Sequence, residues 1–509
     1  LPLQIALWEL AFMLATRRFP HFELLIPLYR EKVILNHHPL PVNSSDEQRL
    51  AIAYLKTPAA IRERCDRLFH LAQANQLDYF RCNLTQLNAV ADYVLEVMRE
   101  EYPDFNIPFH SRWRHFEVGN IPRLAELDQH LAPLTPLEKA QTKFDLAILS
   151  VLLDAGAGSA WQYHERETGQ VFRRSEGLAV CSFRLFCQGF FSSNPERPWQ
   201  ADAQGLQALT LSKLAQGFQV SAENPLLGLE GRLELLQRLG RSLITLPQLF
   251  GSENPRPGYL VNYLLGLGSS GQAGERGSGG AGELGSGGAG ERRSGGAGER
   301  GSGGAGERGS GGVEENSFHS RLSFPKQLAA TTVFSAVLEG LGNIWPGRLE
   351  IAGVNLGDVW VHSALTGENL SDRCIPFHKL SQWLTYSLLE PLQELGIEIT
   401  GLDEMTGLAE YRNGGLCLDL GLLEAKQSSV FQKAHLPGSE VIVEWRALTV
   451  ILLDKIADAI RQELNLNTEQ LPLVKVLQGG TWTAGRRIAA QLRDGGVPPI
   501  QIESDGTVF

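Results

Sequence analysis

The sequence predicts a mainly α protein, a large helical globular fold with a small β element. Apolar residues recur at helical spacing in long segments of both halves, and strand-like patterning is confined to a few short stretches. A third observation sets the organisation. Between Ser269 and Gly312 an eight-residue repeat, GSGGAGER and close variants, holds 20 of the 54 glycines. It divides the chain into an N-terminal extension (1–50), a helical front part (51–268), the repeat itself (269–312) and a back part (313–509).

The first fifteen residues, LPLQIALWELAFMLA, are apolar. A membrane-spanning helix needs about 20 such residues, and Glu9 and then Arg17 and Arg18 interrupt this run. A secretory leader carries its basic residues ahead of the apolar core, and here they follow it. A packing helix is the expectation, with no membrane anchor. Further on, Phe144, Ile148, Val151 and Leu152 share one helical face between Lys139 and Leu153. Leu233, Leu235, Leu236, Leu239 and Leu243 repeat that spacing, as do Val450, Leu453, Ile456 and Ile460. His378–Leu395 reads as a long helix that Pro391 should kink or end. Strands are expected at 349–354 and 359–361 around a turn, and at 415–420.

The repeat has almost nothing large and apolar, so it cannot offset its ordering entropy and is expected to be disordered. Its five Glu and five Arg cancel. Replacing residues 269–312 with a short Gly/Ser linker should leave melting temperature and activity nearly unchanged, because closure entropy grows only logarithmically with loop length. A large loss of either would make the repeat an interaction element.

Composition narrows the function classes. The 509 residues carry 46 Lys+Arg against 57 Asp+Glu, a formal net charge of −11. Duplex nucleic acid demands a basic surface, so it is excluded as the main ligand. Six scattered cysteines without CxxC spacing form neither a disulfide scaffold nor a zinc ribbon. They are expected to pack as small apolar residues in a reducing, cytoplasmic compartment.

Several segments carry candidate chemistry. SVLLDAGAGSAW (150–161) is similar to the glycine loops of S-adenosylmethionine-dependent methyltransferases and, more loosely, of phosphoribosyl-diphosphate enzymes. Such loops need a short strand feeding the glycines. The upstream run here has helical period, and Ala160 stands where a third glycine belongs, so a helix end closed by glycine is expected. HSRWRHF (110–116) concentrates two His and two Arg, a phosphate fork and a proton shuttle in seven residues. In the back part, IWPGR, LGDVWVH, IPFHKLSQWLTYSL, MTGLAEYRNGGLCLD and GGTWTAGRRIA embed polar groups among aromatics, glycine and proline, as a concave pocket does. Glu410, Asp419, Asp358 and Asp505 are the candidate acids or bases. No GxSxG, HExxH or Walker loop is present, and metal ligation by His362 and His378 competes poorly with structural roles for them.

Taken together, HSRWRHF, LLDAGAG, RSEGLAV, WPGR, LGDVW, PFHKLSQWLTYSL, EYRNGGL and the terminal SDGTVF resemble the uracil-catabolism (URC pathway) protein family, a family long labelled a domain of unknown function. The likeness runs from about Leu55 to Phe509 apart from the repeat. It implies a place in a pathway where a cyclohydrolase-like protein, a candidate partner, opens the ring and a ribosylurea is then split into urea and a pentose. Members are also labelled as related to uracil phosphoribosyltransferase. EYRNGG further resembles the active-site segment of queuosine-salvage nucleoside hydrolases, which are helical and related to helix-hairpin-helix glycosylases.

Cleaving such an N-glycosidic bond needs a carboxylate to stabilise an oxocarbenium-like cation or position water, and an acid for the departing nitrogen. The expected catalytic groups are Glu410, Asp419, Asp505 and His378. Tyr411, Arg412, Asp358 and Lys379 are expected to bind substrate, with Lys379 also a candidate acid. Trp360, Trp383 or Trp482 should wall the pocket. Arg348, Arg486 or the Arg112/Arg114 pair is expected to hold a 5′-phosphate if the substrate has one. No metal or other cofactor is expected. The alternatives are a phosphoribosyltransferase using the Asp154 loop and a non-enzymatic subunit that binds a pyrimidine nucleotide.

Overall fold

A computed structural model describes residues 45–154, 156–273, 324–345 and 349–503. The N-terminal apolar run, Arg348, Asp505 and the repeat beyond its first five residues lie outside the described residues. Among those described, secondary structure is helical apart from six two-stranded pairs. The main helices are α1 (Pro58–Gln73), α2 (Leu87–Glu101), α3 (Pro136–Leu152), α4 (Arg174–Cys187) and α5 (Leu229–Thr245). They continue as α6 (Ala330–Leu341), α7 (Lys379–Glu394), α8 (Tyr411–Asp419), α9 (Glu440–Leu464) and α10 (Trp482–Leu492).

Two helices form the centre. α3 starts with a reciprocal cap between Thr135 and Glu138 and with Pro136 in its first turn, both strong initiation signals. From Ala140 to Leu152 every residue is buried, so the single apolar face legible in the sequence understates its position. The polar residues this carries inward are paired: Asp145 meets Arg256, and Lys143 meets Glu394 at 2.7 Å and Asp128 at 2.9 Å. α9 is likewise buried at every residue from Val441 to Leu453. α3 packs on α7, and α1 and α2 pack on α9, so front and back parts share one apolar core running from Ile61 to Ile500.

Strand pairs tie distant segments together. Residues 80–82 pair antiparallel with 423–425, 327–329 pair parallel with 398–400, and 434–435 pair parallel with 501–502. The expected 349–354 element is a minimal hairpin, 350–351 with 354–355, turned by Ala352 and Gly353 at positive φ. Val359–Val361 pairs instead with 374–376.

Three expectations are corrected. Residues 415–420 are not a strand: 415–419 finish α8, whose glycines permit close packing, since a Cβ on Gly414 would stand 2.6 Å from Trp445 Nε1. Of the two outcomes expected at Pro391, a kink or an end, the end does not occur: α7 continues to Glu394. Proline removes the N–H that would bond the Ser387 carbonyl, and the Trp113 indole donates to that carbonyl at 2.7 Å instead. The helix before Asp154 is not closed by glycine: Leu153 caps it in a right-handed conformation, and the left-handed glycine, Gly158, comes later with φ +82°. All six cysteines are free. Among the described residues no helix is long and apolar enough to cross a membrane.

Candidate active site

The N-terminal ends of α4, α7 and α8 meet at a cavity of about 340 Å³. Helix N-termini carry partial positive charge and unpaired N–H groups, so the fold prepares this space for polar or anionic chemistry. Each end contributes side chains. α8 brings Glu410, Tyr411 and Arg412; α7 brings Lys379 and, one turn on, Trp383; α4 brings Arg174 and Ser175. Asp154 and the 156–159 segment enter from the end of α3, Trp482 from α10, and His110 and His115 from the HSRWRHF segment.

Two carboxylates face the cavity in different states. Asp154 is held: Ser175 Oγ donates to its oxygens at 2.7 and 2.8 Å, and Arg112 Nη1 lies 2.8 Å away. Arg112 is fully buried and is anchored by Nε on Ser150 Oγ at 2.7 Å. Glu410 is mostly buried and caps α8, its Oε1 accepting the Asn413 N–H at 2.7 Å. Its Oε2 has no partner among the described residues, which leaves one carboxylate oxygen free for substrate or water. Lys379 Nζ is also unpaired there and stands 5.9 Å from the Trp383 ring. Desolvation draws the Lys379 ammonium below its ordinary pKa, against the pull of Glu410 and Asp154.

Four rings box the space. His115 lies 5.5 Å from Trp383 and 5.4 Å from Trp482, with His110 at 6.4 and 6.0 Å from the same indoles. Burial pushes His110 down to about 4, and burial with the nearby Arg112 takes His115 well below its usual value, so both are neutral at pH 7. His110 Nδ1 meets Gln478 Oε1 at 3.0 Å, while Gln478 Nε2 donates to Tyr102. With the amide so assigned, Nδ1 carries the proton and Nε2 keeps the lone pair. His115 Nδ1 and Trp383 Nε1 are buried without hydrogen-bond partners among the described residues. Leaving such buried groups unmet is costly, so a polar ligand is the natural complement.

A family model described as "Protein of unknown function (DUF1688)" matches residues 54–276 and 312–509. The chain belongs to this family. The two matched stretches flank the greater part of the repeat. Among named relatives, "Protein urg3" of Schizosaccharomyces pombe is 36% identical over 465 residues, covering 90% of this chain and 99% of the relative. "Uracil catabolism protein 4" of Lachancea kluyveri is 35% identical over 488 residues, with the same coverage.

In this family member the cavity gathers Glu410, Tyr411, Arg412, Lys379 and Trp383 from the sequence candidates, with Arg112 braced behind Asp154. Others stand apart. Asp419 closes the far end of α8 in a two-pronged ion pair with Arg493, at 2.8 and 2.5 Å. Asp358 is held by Arg446 through two bonds of 2.8 Å and by Trp360 Nε1 at 2.7 Å. Burial opposes its ionisation, but Arg446 and Trp360 keep its carboxyl far below the usual range. His378 precedes α7 with φ +45°, its Nε2 meeting the Leu55 carbonyl at 2.9 Å. Arg114 pairs with Glu390 at 2.6 Å, and Arg486 pairs with Glu176 at 2.6 Å in an adjoining cavity. Among the described residues no group of His, Cys, Asp and Glu is placed to hold a metal ion.

The structure adds Ser175, and it brings into the same cavity Asp154, expected only for a transferase loop, and Arg174 of the RRSEGLAV segment. The signal for Asp154 and Ser175 is visible afterwards as a carboxylate directly beyond a buried helix and a hydroxyl in the first turn of another. The segment after Asp154 does line the cavity, but a helix feeds it, not a strand. Gly158 is required there, since a Cβ would meet Leu227 Cγ at 2.9 Å.

Proposed function

We propose that this protein acts in uracil catabolism as a hydrolase, splitting the N-glycosidic bond of a ribosylurea-type intermediate into urea and a pentose. The name of the Lachancea relative supports the pathway. The reaction rests on one observation: Glu410, with a free carboxylate oxygen, and an unpaired Lys379 share a cavity walled by Trp383 and Trp482.

In this reading Glu410 Oε2 takes a proton from water as its oxygen bonds to C1′, and the negative charge steadies the cationic transition state. The C–N bond breaks, and Lys379 gives its proton to the departing nitrogen. A lysine drawn down by desolvation is a better acid near neutral pH than an exposed one. Neutral His110 and His115 do not supply that proton. They and Trp383 instead frame the planar ureido group, the His115 and Trp383 N–H groups donating to its carbonyl and His110 Nε2 accepting from its N–H. Asp154, fixed by Arg112 and Ser175, orients the ribose hydroxyls.

The test is urea release from ribosylurea or its 5′-phosphate by the purified protein, without phosphoribosyl diphosphate. Lys379→Met should lower kcat by at least ~10²-fold, the low end for an acid–base group. The wild-type rate should fall on an alkaline limb lying below the ordinary lysine value of about 10.4. Absence of urea release, or an unchanged alkaline limb in an active Lys379→Met protein, would overturn the assignment. A requirement for the diphosphate donor would make the enzyme a transferase.

A further inference from the structure

We infer that the substrate carries a phosphate monoester on its pentose, and that Arg174, Arg412 and Arg486 hold it in a side cavity opening from the reaction site. The inference rests on the hydrolase reading for what the phosphate is attached to. It rests on the side cavity alone for the phosphate itself.

That side cavity has a volume of about 260 Å³ and shares Arg174, Tyr411, Arg412 and Pro498 with the main one, so a single molecule can occupy both. Among the described residues its charged lining is the three arginines. In a chain of net charge −11, three guanidiniums around one small space are a local reversal of sign. Among the described residues their one ion pair is Arg486 with Glu176 at 2.6 Å, while Arg412 Nε donates to Tyr411 Oη at 3.3 Å. Arg412 Nη1 is buried with no hydrogen-bond partner among the described residues, a donor left waiting.

The guanidiniums are also placed in advance. The Arg412 and Arg486 groups lie 4.2 and 5.0 Å from the Trp482 ring centre, so one indole fixes both. Arg174 sits at φ +54°, a conformation that costs a non-glycine residue free energy and recurs at functional sites. Its Nη2 bonds the Gly495 carbonyl at 2.8 Å, which leaves the rest of the fork open. Gly415, Gly485, Gly495 and Gly496, with small alanines and prolines, line the remainder, so among the described residues the space stays open. The first turn of α8, at Tyr411 and Arg412, adds the positive end of a nine-residue helix. A planar carboxylate would use one fork. A tetrahedral dianion with three terminal oxygens can engage several donors at once.

The closing experiment measures binding and turnover separately on the full chain. By calorimetry, ribose 5-phosphate should bind at least ~10-fold tighter than ribose, as charge-assisted bonds allow. Arg486→Gln, at a side chain 45% exposed and safe for folding, should erase at least ~10-fold of that preference, and Arg174→Gln should do the same. In turnover, kcat/KM for the 5′-phosphate of ribosylurea should exceed that for ribosylurea, and both variants should shrink the ratio. Equal binding of ribose and ribose 5-phosphate, or variants that leave the preference intact, would overturn the inference. So would inorganic phosphate binding as tightly as ribose 5-phosphate without a turnover preference, which would mark a free-anion site. Urea release without phosphate preference would sink the inference and spare the hydrolase reading. Arginine-dependent binding of ribose 5-phosphate without urea release would do the reverse.

Discussion

Glu410→Gln should give a folded protein whose urea release is about 10²–10⁴-fold slower. The glutamine keeps an oxygen to cap the Asn413 N–H, so the start of α8 survives, while the negative charge and basic oxygen are lost. Glu410→Ala separates the two roles. It removes the cap as well, adding a stability loss of about 0.5–2 kcal/mol to the same catalytic defect. Wild-type turnover in the Gln variant would show that the carboxylate only closes a helix.

The largest stability effect is expected at Glu165. This buried carboxylate accepts from Arg123 at 2.7 and 2.5 Å, Arg184 at 2.6 Å and Thr168 at 2.6 Å. Glu165→Ala leaves the fully buried Arg123 without its counter-charge, a loss of about 3–5 kcal/mol. Arg184 keeps Glu126 at 2.7 Å and so loses less. Chemical denaturation measures the difference; a loss below about 1 kcal/mol would contradict the burial argument. The pH dependence has a definite sign. Burial resists ionisation, but the bonds from Arg123, Thr168 and Arg184 hold Glu165 down at about 2. Its contribution is therefore present above the unfolded carboxylate value of about 4.3 and lost as pH falls toward 2. The variant should show a shallower acid limb across that window.

Helical period locates α3, α5, α7 and α9 because their apolar spacing persists however many sides are covered. It misreads 415–420, where alternating leucines imitate a strand and the glycines serve close packing under Trp445 and Pro499. The same limit governs the site. Glu410 and Asp419 are near in sequence, but one caps the start of α8 and the other closes its end, roughly 13 Å of rise away. Asp154 and Ser175 come from separate helices, and nothing local in either segment reports that they meet. The EYRNGG and FHKLSQW segments point to the cavity because each places polar residues at a helix start, where N–H groups remain unpaired. The start of α7 was legible; the start of α8, hidden by the strand-like leucines, was not, and neither was their convergence.

The sharing of one core by the two halves sets a timetable for biosynthesis. α1 rests on α9, and Arg62 reaches Asp454 at 3.0 Å across a separation of 392 positions. At about 5–20 residues per second the ribosome takes roughly 20–80 s to deliver the second partner. Throughout that interval α1, which buries Ile61, Cys65, Leu68 and Phe69 in the finished molecule, lacks its most extensive packing partner. The nascent front half is thus expected to expose apolar surface until α9 emerges, and the glycine-rich stretch lengthens that interval.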